Sequence, residues 1–473
     1  MAQNLFSRRR QTKRKQKGKR HNNEFFDEQI DASTLRTLEI EKLSHEGRGI
    51  SKHKGKTQFV EGALIGETVS ARVLACHNSY DELQAVKVIK PSVDRVEPFC
   101  RHFDVCGGCS LQNMTPKAQL MHKETVLKEQ YAHFGQVDVN NWLAPIQSEA
   151  QAYRSKARLG VYFDSKLNKT IIGFREKQSK RLTDIQSCPV LNEAIGDLVP
   201  HLRAMFQNLE DHQSITHIEL ANSDSHKAIV IRHVKPLSER NNKVLRAFSE
   251  EHSVNVYLQA KTGEQAKPLN NEQPNLRYAI TAFNAQDQQF KELSLGFHPQ
   301  DFTQINSKVN QKLISNTLEQ LKLKPTDKVL DLFCGLGNFT LPIALNCEQV
   351  VGIEGSEEMV LRARDNAQKN GLSNAQFYSA DLHTDFRSAS WAKQTFDKIL
   401  IDPPRAGALV VATYLHHFNP ERIVYISCNP ATLARDAGVL SKHGYQIDAS
   451  GVIDMFPNTA HIESMAVFVR NKR

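Results

Sequence analysis

Apolar and polar positions change their rhythm twice along this chain. From about residue 293 onward, short apolar runs recur at 328–332, 349–353, 375–378, 398–401 and 422–427, with helical periodicity between the first of them. A helix is predicted over 309–321, ahead of the first run. Apolar runs of strand length separated by helices predict βαβ units around a parallel sheet covered on both faces. Two further strands, 445–454 and 464–469, joined by a tight loop, end the pattern.

Residues 34–90 follow a different rule. Strand-like runs at 34–40, 56–60, 67–75 and 85–89 are short, and Gly47, Gly49 and Gly55 punctuate them. Short strands with glycine-rich turns predict a small closed barrel. Pro91 and Pro98 open the next stretch, and a helix is predicted over 115–134. Strand-like runs at 157–163, 170–175, 215–220, 228–233 and 254–258 then alternate with loops, among them a polar one around 261–275. No internal repeat is visible, and most of 151–290 carries no readable chemistry. The pattern divides the chain into a tail (1–30), a barrel (31–90), a central region (91–292) and an α/β domain (293–473).

The formal net charge of +9 sits in one place. Arg8, Arg9, Arg10, Lys13, Arg14, Lys15, Lys17, Lys19 and Arg20 fall within the first 20 residues with no acid among them, and bases and acids balance in the remainder. Such a run repels itself, has little to bury and is expected to be disordered alone. With almost no Ser and no apolar face it makes a poor organelle-targeting peptide; a polyanion such as RNA is the partner it suits. Arg48, Lys52, His53, Lys54 and Lys56 form a second basic cluster in the barrel loops, readable as a solvated face or as a nucleic-acid contact. No apolar run reaches the ~18 residues of a membrane helix. No apolar stretch follows the basic start as in a secretory signal. The expectation is a soluble, cytoplasmic, monomeric chain.

Five strand ends carry chemistry. Val329-Leu330-Asp331-Leu332-Phe333-Cys334-Gly335-Leu336-Gly337-Asn338-Phe339 runs from a buried strand through a glycine loop into a helix. Glu354 ends the next strand, placed to bind ribose hydroxyls, and Asp381 ends the third, placed to meet an adenine amino group. The third glycine of a dinucleotide fingerprint is missing, so no pyrophosphate needs a place and S-adenosylmethionine fits better than NAD. Asp402-Pro403-Pro404-Arg405 ends the fourth strand, at the sheet edge where ligands bind. Ser427-Cys428-Asn429-Pro430 ends the fifth. There Asn429 suits a helix N-cap and Pro430 the first helical turn, so Cys428 meets a helix N-terminus whose dipole favours a thiolate. His461 and Glu463 lie two apart near the chain end, and either is a candidate general base.

Eight cysteines in a long chain without a signal point to metal binding or catalysis rather than disulfides. Cys100, Cys106 and Cys109 are compact, and Cys188-Pro189 comes much later. Structural zinc usually takes two paired-cysteine knuckles, so this arrangement suits an iron–sulfur site better, with zinc the alternative. Cys76, Cys334 and Cys347 read as small buried residues.

The glycine loop, Asp402-Pro-Pro-Arg405, Ser427-Cys-Asn-Pro430 and His461-Ile-Glu463 together resemble the RNA uracil-C5 methyltransferases, in particular their ribosomal branch. The likeness covers nearly the whole chain after the tail. It implies a class I Rossmann-like α/β methyltransferase domain preceded by a TRAM β-barrel and a central α+β iron–sulfur domain. It implies methylation of one uracil of 23S ribosomal RNA, with S-adenosylmethionine and a 4Fe-4S cluster as cofactors. Residue by residue, Gln304 (in Gln304-Ile305-Asn306), Phe333, Asn338, Glu354, Asp381 and Asp402 would line the cofactor and base site. Cys428 would be the nucleophile and Glu463 the proton-abstracting base. Cys100, Cys106, Cys109 and Cys188 would ligate the cluster. Two other readings stay open on the residues alone: a tRNA uracil-C5 methyltransferase, and a non-catalytic RNA-binding assembly factor.

Overall fold

The computed structural model describes residues 35–471, apart from 211, 262 and 271–275. The basic tail, the first residue of the predicted strand 34–40 and part of the polar loop at 261–275 lie outside the described residues.

The barrel has six strands, Leu35–Glu39, Lys42–Leu43, Gly49–His53, Lys56–Glu61, Thr68–Cys76 and Tyr80–Lys90. The sequence pattern misses the second and third, which are short and mostly polar. Leu35–Glu39 pairs with Thr68–Cys76, while its continuation Lys42–Leu43 pairs with Gly49–His53. The two edges of the sheet are therefore one bent segment, and the sheet closes on itself. Lys54 and Gly55 make a two-residue turn with φ of 49° and 79°, the left-handed pair that matches strand twist in a tight hairpin. The basic cluster is thinner than its sequence suggests. Lys56 pairs with Asp81 at 2.5 Å, and Arg48 pairs with Glu46 at 2.7 Å and lies over the Phe59 ring. Lys52 and Lys54 are exposed. Cys76 is exposed too, at the end of its strand, contrary to the packing role expected of it; Cys334 and Cys347 are buried as expected.

The α/β domain is built on an eight-stranded sheet. Its order is Ala375–Ser379, Gln349–Glu354, Lys328–Leu332, Lys398–Ile401, Arg422–Ser427, Glu463–Arg470, Tyr445–Ile453 and Val139–Trp142. The first five run parallel, and Glu463–Arg470 inserts antiparallel between its neighbours. Strand order reverses between Lys328–Leu332 and Lys398–Ile401, where Leu332 pairs with Ile401. The residues that follow these two strands, Phe333 and Asp402, thus open side by side at the switch point, the crevice where such sheets bind ligands.

The central region holds a second six-stranded sheet with helices Leu198–Gln207 and Glu239–His252 packed on it. Five of its strands match the sequence pattern; the sixth, Lys267–Pro268, lies in the stretch expected to be a polar loop. The two helices are missed, although Ser238 caps the second by accepting from Asn241 N. Besides the strand Val139–Trp142, a helix and a hairpin that begin ahead of residue 293 join the α/β domain instead. Helix Pro116–Gln130 and the turn after it bring Val126, Leu127 and Tyr131 into the core on one face of the large sheet. The hairpin Arg277–Asn284 and Gln289–Gly296 brings Ile280, Ala282, Leu293 and Leu295 to the other. No helix among the described residues is long and apolar enough to cross a membrane.

Leu127 is fully buried in that shared core. Leu127→Ala is expected to cost ~2–5 kcal/mol, the usual range for a buried leucine, read as a fall in the thermal midpoint of the α/β domain. An unchanged midpoint would show that the helix is not part of that core.

Candidate active site

The glycine loop takes its shape from backbone angles that side chains usually refuse. Phe333, Gly335 and Gly337 have φ of 67°, 56° and 91°. For an aromatic residue this is a strained conformation of the kind stored at functional sites. A Cβ at Gly337 would overlap Leu341. Beneath the loop, Asp331 is wholly buried and accepts a 2.5 Å hydrogen bond from Thr340 Oγ1, tying the strand to the start of the helix. Burial pushes its carboxyl up to about 7.

The predicted cofactor residues are pinned individually. Glu354 Oε2 accepts from Gly335 N at 3.2 Å, and Oε1 from Ser356 N at 3.0 Å. Asn338 exchanges two 2.9 Å hydrogen bonds with Asn310, and its Oδ1 accepts a third from Tyr278 OH at 3.3 Å. Asp381 lies two residues past its strand, and its Oδ1 accepts from His383 N at 2.9 Å. Gln304 precedes the N-cap Asn306 of helix Ser307–Leu321; Asn306 is fully buried and accepts from Val309 N.

Asp402 and Cys428 leave adjacent strands, and their loops are clamped together. Asn429 Nδ2 donates to Arg405 O at 3.1 Å, and Arg435 Nη2 donates to Ala406 O at 3.0 Å. Asp436 Oδ2 accepts from both Ala408 N and Tyr425 OH. Asn429 caps helix Pro430–Lys442 by accepting from Ala431 N, as its sequence predicts. Glu463 opens the antiparallel strand and is buried, whereas His461 stays exposed with its Nδ1 3.2 Å from Arg405 Nη2.

Gln304, Phe333, Asn338, Glu354, Asp381, Asp402, Cys428 and Glu463 all line one cavity of about 600 Å³. Sequence reasoning missed three of its other walls. Tyr278 comes from the central region's hairpin, and Phe302 stands on the rim with 70% of its surface exposed. His383 pairs loosely with the Phe333 ring, centroids 6.2 Å apart. An apolar side chain directly before the Thr303-Gln304 pair was the available signal for Phe302; nothing local marks the others.

The electrostatics depart from expectation at Cys428. Its thiol is pushed up, first by burial and then by Glu463 and Asp402, against the pull of Arg405. The positive helix end is already engaged by the Asn429 side chain, so it does not prevail over two carboxyls and a dry pocket. Burial likewise raises Asp402 to about 7. Burial, then the Asp402 charge, raises Glu463 to about 8 despite Lys123 and Arg405.

Comparison with known proteins accounts for this architecture. The profile of the tRNA (uracil-5-)-methyltransferase family matches residues 115–472. The chain belongs to that family. The TRAM domain profile matches residues 34–82, the barrel. A relative from Hahella chejuensis named 23S rRNA (uracil(1939)-C(5))-methyltransferase RlmD is 46% identical, over 91% of this chain and 96% of its own. A relative of the same name from Alcanivorax borkumensis is 44% identical, over 92% of this chain and 96% of its own. The Pyrococcus abyssi tRNA (uracil-54, C5)-methyltransferase, solved with S-adenosyl-L-homocysteine, shares the fold. Its TM-score is 0.69 at 23% identity, covering 92% of this chain and all of that one. As a member of the uracil-C5 methyltransferase family, this enzyme uses S-adenosylmethionine.

Folded Glu463 holds its proton to about pH 8, whereas an unfolded glutamate releases it near 4.5. The unfolded state therefore binds fewer protons between those values, and stability falls as pH rises across them. Glu463→Gln removes this loss, so the variant is expected to melt at a higher temperature than the parent at pH 8 and at the same temperature below pH 4.5. Equal melting at both would place Glu463 in a wetter setting.

Proposed function

We propose that the chain methylates carbon 5 of one uracil in 23S ribosomal RNA, the position its relatives' names give as 1939, through a covalent bond from Cys428. The observation that carries this is the sharing of one cavity by Cys428, Asp402 and Glu463 with the carboxylates Glu354 and Asp381.

The donors present suit S-adenosylmethionine. Glu354 is held to accept from ribose hydroxyls, Asp381 to accept from an adenine amino group, and Phe333 and Phe339 offer apolar walls. Bound there, the cofactor supplies a methyl group on an electrophilic sulfonium. Carbon 5 of uracil is too weak a nucleophile to take that methyl unaided. The thiol of Cys428 first gives its proton to solvent; its sulfur then bonds to carbon 6, the electrons of the 5,6 double bond become an enolate, and carbon 5 takes the methyl. Glu463 then removes the carbon-5 proton, the bond to Cys428 breaks and the ring is restored. The exposed Phe302 ring offers a surface on which a base leaving its stack can settle.

Cys428 and Glu463 make opposite demands. The thiol ionises most easily while Glu463 and Asp402 hold their protons, and Arg405 then favours the thiolate. Proton abstraction needs Glu463 ionised. The two halves of the cycle draw on different protonation states of one carboxyl group.

The cysteine group supports a 4Fe-4S cluster held by Cys100, Cys106, Cys109 and Cys188. The thiols of Cys106, Cys109 and Cys188, from two distant stretches of sequence, are pushed up first by burial and further by the neighbouring cysteines of the group, Cys100 among them. As they stand, no group of three or more His, Cys, Asp or Glu among the described residues is arranged to hold a metal ion. The fit therefore rests on the donor set, four soft sulfurs. The barrel and the basic tail would track RNA phosphates, and a ribosomal substrate places the reaction in the cytoplasm.

With 5-fluorouracil-substituted 23S RNA and cofactor, fluorine cannot leave as a proton, so a stable protein–RNA adduct is expected. Sequencing its RNA should identify one nucleotide. Cys428→Ala is expected to form no adduct and to transfer no methyl while still binding cofactor. Turnover by that variant, or trapping on tRNA instead, would overturn the reading. Anaerobically purified protein is expected to be brown and to lose its colour in Cys109→Ser; a colourless preparation carrying zinc would refute the cluster.

A further inference from the structure

Lys123 is a buried cation that the reaction as described does not use. It lies on helix Pro116–Gln130, 331 residues from its partner in sequence, and its side chain has no exposed surface. Its Nζ donates to Asp454 Oδ1 at 2.6 Å and to Phe456 O at 3.2 Å. Asp454 and Phe456 begin the turn that leads to Glu463, and Phe456 lines the active cavity. One helical turn earlier, Gln119 Oε1 accepts from Asn458 N at 2.9 Å in the same turn. The helix thus grips the turn twice, through residues four apart on one face. Burying an ammonium is costly unless anionic partners surround it. Here one carboxylate is in direct contact, and Glu463 lies within electrostatic range.

We propose that Lys123 is a positioning residue for the proton-abstracting step. Its ammonium fixes the turn that presents Glu463 and supplies the buried positive charge against which that carboxyl group can ionise. The proposal rests on Glu463 being the base.

The surroundings support this. The groups that act on Glu463 are Asp402, which opposes its ionisation, and Lys123 and Arg405, which favour it; Cys428 faces it as well. Arg405 is exposed and beside His461, so water and salt weaken it. Lys123 has no exposed surface, so neither water nor salt weakens it. It also acts on His122 and His461, whose protonation its charge disfavours. Removing Lys123 and Asp454 together leaves no unpaired buried charge, which separates the structural part of the pair from its effect on the base.

The test compares Lys123→Arg, Lys123→Met and the double variant Lys123→Met/Asp454→Asn with Glu463→Gln, all in the full-length protein, on unsubstituted 23S RNA. Two quantities are read: the fraction of enzyme held as covalent RNA adduct in the steady state, and the pH dependence of adduct breakdown. Glu463→Gln is expected to accumulate adduct. Lys123→Met and the double variant are expected to form adduct at near-parental rate, then release it at least tenfold more slowly. Their acidic limb should move upward by at least about one pH unit, as for loss of an opposite charge near a carboxylate. Lys123→Arg is expected to recover most of the release rate. If the double variant, its buried charges balanced, releases RNA with the parental pH profile, Lys123 is only a structural partner of Asp454 and the proposal fails. If Glu463→Gln accumulates no adduct, the assignment of the base fails instead.

Discussion

Asn458 stands in the left-handed region at φ 65° in the turn between the last two strands of the large sheet. Its polar groups are shared among three segments from outside that turn. Its carbonyl accepts from Ser110 N and Leu111 N, its amide donates to Gln119 Oε1, and its Nδ2 donates to Ala150 O. Around it, Ala460 N donates to Ser110 Oγ, and Tyr153 OH donates to Pro457 O. A hairpin turn nine residues long between its strands cannot hold a buried carboxyl group in place alone. This one is held because the chain ahead of the central sheet wraps back onto it.

That constraint makes the parts of the enzyme interdependent. Ser110 and Leu111 directly follow Cys109, so the cysteine loop and the turn bearing His461 and Glu463 share hydrogen bonds. The barrel reaches the same place, where its Leu43 and Leu64 share a small core with Leu111, Met114 and Ala460. These shared hydrogen bonds couple the fold of the cysteine loop to the placing of Glu463.

The site's chemistry comes from placing acids where water is scarce. Asp331, Asp402 and Glu463 all bind protons more tightly than ordinary carboxyls, and in each case burial is the first cause. The same dryness opposes ionisation of Cys428. The site is thus closer to neutral than its residue types suggest. A low-dielectric pocket strengthens every such charge.

The sequence by itself determined the parallel sheet, the closed barrel, the glycine loop and the residues at the strand ends that follow it. Each of these is written locally: apolar runs of strand length, glycines at turns, an Asn-Pro pair at a helix start. It also placed Cys428, Asp402 and Glu463 on elements that do converge. Only the tertiary structure decided what surrounds them. The helix at 116–130 belongs in space to the α/β core, and the hairpin at 277–296 forms a wall of the cavity through Tyr278. Helix spacing shows which residues share a face but not which surface that face meets, so Lys123 reads as one more polar helix residue until Asp454 is found against it. The state of Cys428 was misread for the same reason. A helix end is visible in sequence, but the burial and the two carboxyls that outweigh it come from distant strands, and a pKa follows from all the charges and water around a group.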